Sequence, residues 1–144
     1  MPVRILRIAP ITLALWLICL PITASVGVGI SPGKIILAEP VRPHQSVNLA
    51  LGVVNMGDSP GVFSMSVGCL GDQVELCPDA AWLEFSPQQF ELGPRQTQRV
   101  EVVLTVASRA RPGSYHCLLM AGTGDGIGIA VATRLFFEVK RRKL

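Results

Sequence analysis

At 144 residues the chain has room for one hydrophobic core, and its 14 glycines and 11 prolines, spaced at turn-like intervals, exclude a bundle of long helices. The formal charge of +3 comes from the termini, where Arg4 and Arg7 precede the body and Lys140, Arg141, Arg142 and Lys143 follow it. Between Val26 and Val139 there are seven basic and ten acidic residues, which excludes a body built to bind nucleic acid.

Residues 1–25 open with Arg4 and Arg7, continue as an apolar stretch from Ile8 to Ile22 and end in the small residues of "ITASVG". This is the pattern of a secretory signal peptide cut after Ala24 or Ser25. The alternative is an uncleaved anchor helix, since the apolar stretch extends through Ile30. Both place residues 26–139 outside the cytoplasm, and membrane contact is expected only through this segment if it is not cut. Cys19 follows the bulky Ile18, so no lipoprotein cleavage site is expected.

Past the leader, apolar residues recur with period two and turn signals interrupt them about every ten residues, as in a sandwich of short strands. A first strand is expected around Ile35 to Ala38. In "SVNLALGVVN" Val47, Leu49, Leu51 and Val53 share one face. The turn "NMGDSPG" follows, and "VFSMSVGC" puts Phe63, Met65, Val67 and Cys69 on one face, so these two strands are expected to form a hairpin. A short strand is expected near Trp82 to Phe85. "QRVEVVLTV" points Val100, Val102, Leu104 and Val106 inward, and "YHCLLMA" does the same with Tyr115, Cys117 and Leu119. The last strand runs from Ile127 to Val139, and residues 140–144 form a basic tail. That tail reads as a solvated charge run, with anionic lipid or wall polymer as its available partners.

"GTGDGIGIA", residues 122–130, looks like a phosphate-cradling loop, but no helix follows to supply the anion site. It reads instead as a hairpin connection turning at Asp125–Gly126. Gly124 and Gly128 are expected to keep the edge pliable where a partner strand can add. Seven strands in this length predict an all-β, immunoglobulin-like sandwich, preceded by the signal or anchor helix.

The stretch "WLEFSPQQFELGPRQTQRVEVVL", residues 82–104, followed by "ARPGSYHCLLM", resembles the sandwiches of the major sperm protein and of the first (PapD-like) domain of fimbrial chaperones. The resemblance begins at "ISPGKIIL" and runs to Val139. It implies the same sandwich, with Tyr115 as either a tyrosine corner or a core residue. Fimbrial chaperones have two domains and hold a client's C-terminal carboxylate with an arginine and a lysine in the cleft between them. By strand, Lys34 and Arg134 are the candidates for that pair, and a chain of this length is expected to hold one domain only.

Three cysteines lie past the leader, and an oxidising compartment favours a disulfide. Two pairings are open: Cys69 with Cys77, stapling one loop, or Cys69 with Cys117 on neighbouring strands. The first is preferred, because bridges between adjacent strands strain the geometry. His44 lies in a turn, His116 alternates outward, and neither has ligand spacing to a cysteine, so no metal is expected. No nucleophile–base arrangement is visible, and Asp58, Asp72, Asp79 and Asp125 sit in turns, so no enzyme activity and no cofactor are expected. Of Trp82 and Phe85 at least one is expected in the core. Phe136 is the better surface candidate, since Leu135 and Phe137 flank it. The function expected is an exported, non-catalytic interaction module that binds a protein of the cell envelope through a sheet edge. The alternative is a structural or wall-associated domain contacting envelope polysaccharide.

Overall fold

In a computed structural model the described residues are 25–124 and 128–141. The signal or anchor segment with Cys19, the turn at Asp125–Gly126 and the end of the basic tail lie outside them. Nine strands follow in chain order: β1 (Val28–Ser31), β2 (Lys34–Ile36), β3 (Ser46–Asn55), β4 (Gly61–Gly68), β5 (Leu83–Ser86), β6 (Gln89–Leu92), β7 (Thr97–Thr105), β8 (Gly113–Thr123) and β9 (Ala130–Val139). They form two sheets, ordered β1-β3-β7-β5 and β2-β9-β8-β4-β6. The fold is an all-β sandwich, as the alternation predicts.

The inward faces supply the core. Leu51 and Val53 of β3 and Val100, Val102 and Leu104 of β7 meet Phe63 and Met65 of β4, Cys117 and Leu119 of β8, and Leu135 and Phe137 of β9. Fully burying a side chain of this size contributes about 1.5–3 kcal/mol.

Two strands more than expected are present, and both are short. The opening region divides in two: β1 pairs antiparallel with β3, whereas β2 pairs parallel with β9. Pro32 lies between them and has no N–H for a ladder, so the chain leaves one sheet there and joins the other. The second addition, β6, pairs with the start of β4.

The expected hairpin of β3 and β4 does not form, because these strands lie in different sheets. Asn55 accounts for the crossing. It is fully buried, its amide donates to the carbonyls of Ser59 (2.8 Å) and Leu92 (3.1 Å), and its oxygen accepts from the Gly57 N–H (2.9 Å). These bonds tie the turn to β6 in the opposite sheet and satisfy polar groups that would be costly to bury alone.

Beyond β4 the chain makes a loop joined by a Cys69–Cys77 disulfide, with Cα atoms 6.0 Å apart. The loop returns to β8, where the Leu76 N–H donates to the Ser114 carbonyl (2.8 Å) and the His116 N–H to the Leu76 carbonyl (2.9 Å). Cys117 is a buried free thiol on the inward face, and burial pushes its pKa up to about 12. Tyr115 fills both roles left open above. Its ring packs between Trp82 and Phe137, each 5.3 Å away, and its hydroxyl donates to the Arg111 carbonyl.

Candidate binding edge

The features singled out in the last strand converge on one margin of the second sheet. β9 is not an edge strand along its whole length, because β2 covers part of it. The pairing runs only from Lys34–Ile36 to Arg134–Phe136, with the Arg134 N–H donating to the Gly33 carbonyl (3.1 Å) and the Leu37 N–H to the Phe136 carbonyl (3.0 Å). Even-numbered residues of β9 therefore aim their main-chain groups away from β8. Among the described residues no strand pairs with Ala130–Thr133 on that side, so the N–H and C=O of Ala132 face outward as an open ladder.

Where the open part ends, Lys34 and Arg134 stand directly opposite one another. Both are exposed, and register across parallel strands puts the two cations on the same outer face. Like charges directly opposite are unfavourable unless an anion lies between them. The single close ion pair among the described residues, Arg99 with Glu101 at 2.7 Å, lies elsewhere. The Lys34 ammonium also sits 5.2 Å from the centre of the Phe136 ring, a cation–π distance.

Phe136 faces outward as expected but is only half-exposed. Its ring stacks on His116 at 4.2 Å, tilted by 9°. His116 is correspondingly buried, with 5% of its surface exposed, which corrects its expected exposure. It does point away from the core, but Phe136 covers its ring, and Gln73 from the disulfide loop donates to its carbonyl (3.0 Å). Ile36, 64% exposed, continues the apolar surface beside Phe136.

Chain switching and strand position are joined by Thr133. This residue is fully buried, and its hydroxyl donates to the Pro32 carbonyl at 2.6 Å. The bond fastens the crossing from β1 to β2 against β9 and fixes where the open edge stops. The sequence carried a signal for it, since Thr133 is a polar residue at an inward position of an otherwise apolar strand face.

The two glycines before β9 differ. At Gly124 an added Cβ meets nothing within 4 Å, whereas at Gly128 it would lie 2.7 Å from the Thr123 carbonyl oxygen. Gly128 is thus needed for close packing of main chain, and only Gly124 is free to change. Among the described residues no group of three His, Cys, Asp or Glu side chains is placed to hold a metal. Two turn carboxylates have structural partners: Asp58 accepts from the Ser25 N–H (2.7 Å), and Asp79 caps the short turn at Ala80–Trp82 through the Ala81 N–H.

Solved structures share this fold. The PapD-like domain 7 of human CEP192 matches with a TM-score of 0.58 at 13% identity, covering 81% of this chain and 87% of that one. The fold is PapD-like. The E. coli chaperone DraB matches with a TM-score of 0.55 at 17% identity, over 78% of this chain and 54% of DraB. A family 123 glycoside hydrolase from Clostridium perfringens matches with a TM-score of 0.62 at 10% identity, over 82% of this chain but 28% of the enzyme. This PapD-like sandwich therefore spans about half of a chaperone chain and a minor part of the hydrolase. No protein-family profile and no curated protein matches the chain.

Proposed function

We propose that this chain is an extracytoplasmic, non-catalytic module that takes an extended segment of a protein partner along the open part of β9. The observation that carries the reading is the juxtaposition of an unpaired stretch, Ala130–Thr133, with the opposed cations Lys34 and Arg134 at its end. A strand added there gains main-chain hydrogen bonds from Ala132. It stops where β2 begins, and a carboxylate at its end or on its side chains lies beside the two cations, which offsets their repulsion. The likeness to a chaperone supports a protein partner, and the disulfide supports a compartment outside the cytoplasm.

A photo-reactive residue in place of Ala132, in the full chain expressed in cells, tests this. It is expected to crosslink a discrete envelope protein, and the pair Lys34→Ala and Arg134→Ala is expected to lower the yield about tenfold or more, the usual scale for a lost charge-assisted contact. Ala132→Pro removes an outward N–H without touching the ladder to β8, and should also abolish capture. Retention on purified wall glycan with no crosslinked protein would favour the polysaccharide reading instead.

A further inference from the structure

We propose that the end of the sandwich built from the β2–β3 loop, the β7–β8 loop and Lys140–Arg141 is a second binding site, for a phosphate-bearing polymer. It uses none of the residues of the β9 edge and does not depend on that reading.

Three segments distant in the chain meet there. The His44 N–H donates to the Val106 carbonyl (2.8 Å), the Val41 N–H to the Glu138 carbonyl (2.7 Å) and the Lys140 N–H to the Val41 carbonyl (3.0 Å), while Gly113 stands opposite Val139. This bracing gathers Arg42, His44, Arg109, Arg111, Lys140 and Arg141, all of them exposed. In these segments and the strand ends they join, the carboxylates are Glu39 and Glu138, and among the described residues neither makes a close ion pair. The body outside this end is acidic on balance, so the positive charge is segregated rather than spread. Gathering cations raises their mutual repulsion, which a bound polyanion relieves. Between the β2–β3 loop and Lys140 lies an open cleft of about 720 Å³ lined by Arg42, His44, Lys140, Gln45 and Glu39 among others, within the size range of ligand sites; the β7–β8 loop, with Arg109 and Arg111, stands outside its lining.

The chemistry of the partner follows from what surrounds the cations. Four of them, Arg42, Arg109, Arg111 and Arg141, are guanidiniums, whose planar fork matches phosphate oxygens in pairs. No phenylalanine, tyrosine or tryptophan lies in these segments to stack on bases, which disfavours nucleic acid. No large apolar side chain is exposed in them to enter a bilayer. Ser25, where the leader joins the domain, lies at the opposite end, bonded to Asp58. The ten residues of β3, at about 3.3 Å each, put the two ends about 33 Å apart. Main-chain bonds at Val41, His44, Gln45, Val106 and Ala110 brace the loops, and the side chains they present are charged. Because the main-chain bonds already fix the loops, little ordering cost accompanies binding.

Titration of the full chain with inorganic polyphosphate over a range of salt concentrations tests the site. Arg42→Ala with Lys140→Ala, and separately Arg109→Ala with Arg111→Ala, are each expected to weaken binding about tenfold or more at low salt. Each pair should also reduce the slope of log affinity against log salt by about two, one per lost phosphate contact. Arg95→Ala with Arg99→Ala, at distant positions, should change neither, and an unchanged melting temperature in all three confirms that folding is intact. Equal losses in the distant pair, or an unaltered slope, would overturn the proposal. So would tighter binding to polyglutamate of matched charge, or to phosphatidylserine–phosphatidylcholine vesicles.

Discussion

The two ends of the sandwich are closed by different means. At the Ser25 end, closure depends on particular side chains: Asn55 joins three segments, and Asp58 holds Ser25 through both its N–H and its hydroxyl. Gly57 packs so closely there that an added Cβ would lie 2.2 Å from the Ser25 carbonyl oxygen and 2.7 Å from the Gly27 nitrogen. At the Arg42 end the loops are closed by main-chain hydrogen bonds, by the uncharged side chains of Tyr115 on the Arg111 carbonyl and of Gln45 on the Arg42 N–H, and by a disulfide loop on the flank, so among the described residues the charged side chains make none of the closing bonds. The comparison teaches that in this sandwich a charged side chain, Asp58, is taken up in shutting one end, whereas the cations of the other end are left out of its closing bonds.

The largest expected effect follows from breaking the first kind of closure. Asn55→Ala leaves the Gly57 N–H and the Leu92 and Ser59 carbonyls without their partner, each costing about 1–3 kcal/mol where water does not reach. A total loss of about 3 kcal/mol or more is expected in urea unfolding. Gly57→Ala should be comparably damaging, because the clashing atoms are main chain and cannot swing away. If either variant unfolds at the wild-type midpoint, the contrast between the ends fails.

A smaller effect is expected from the second kind. Cys69→Ser with Cys77→Ser releases a nine-residue loop, and the loop-entropy estimate puts the loss at about 2–3 kcal/mol. The His116 amide, bonded to the Leu76 carbonyl at 2.9 Å, should then exchange faster with solvent, while the Asn55 amide, bonded to the Gln96 carbonyl at 3.0 Å, changes only with global stability. Equal acceleration at both amides would mean that the loop has no local role.

How much of this could be read in the residues depends on the range of the interaction. The period-two pattern of Val100, Val102 and Leu104, or of Tyr115, Cys117 and Leu119, is local, and it reports correctly which face is buried. It says nothing of which strand lies alongside, so β3 and β4 read as a hairpin although the turn carries the chain to the other sheet. The four residues of β1 and of β6 are too few to show a period. His116 alternates outward as its position dictates, but its burial is decided by Phe136, twenty residues further on, and by the disulfide loop. The sequence places Lys34 and Arg134 only by strand, and their opposition rests on a parallel register that no local pattern encodes. Asn55 and Thr133, which the sequence reading passes over, do carry a local signal, since each is a polar residue on an inward face and so implies a buried partner.

The smallest effect separates the ends by pH. The Ser25 N–H and then its hydroxyl, both donating to the Asp58 carboxylate, hold the pKa of that carboxyl below its ordinary value of 3.8. A depressed folded-state pKa means that the contribution is fully present above the unfolded value and is lost as pH falls through the folded one. Asp58→Asn should therefore be less stable than the wild type near pH 6 and should approach it near pH 2, with only a small gap because the carboxylate is exposed to solvent. Arg42→Ala with Lys140→Ala removes no hydrogen bond that closes an end, so its difference from the wild type should show no such convergence. Urea midpoints at the two pH values decide the matter: a gap for Asp58→Asn that stays constant with pH would show that the carboxylate charge has no part in holding Ser25.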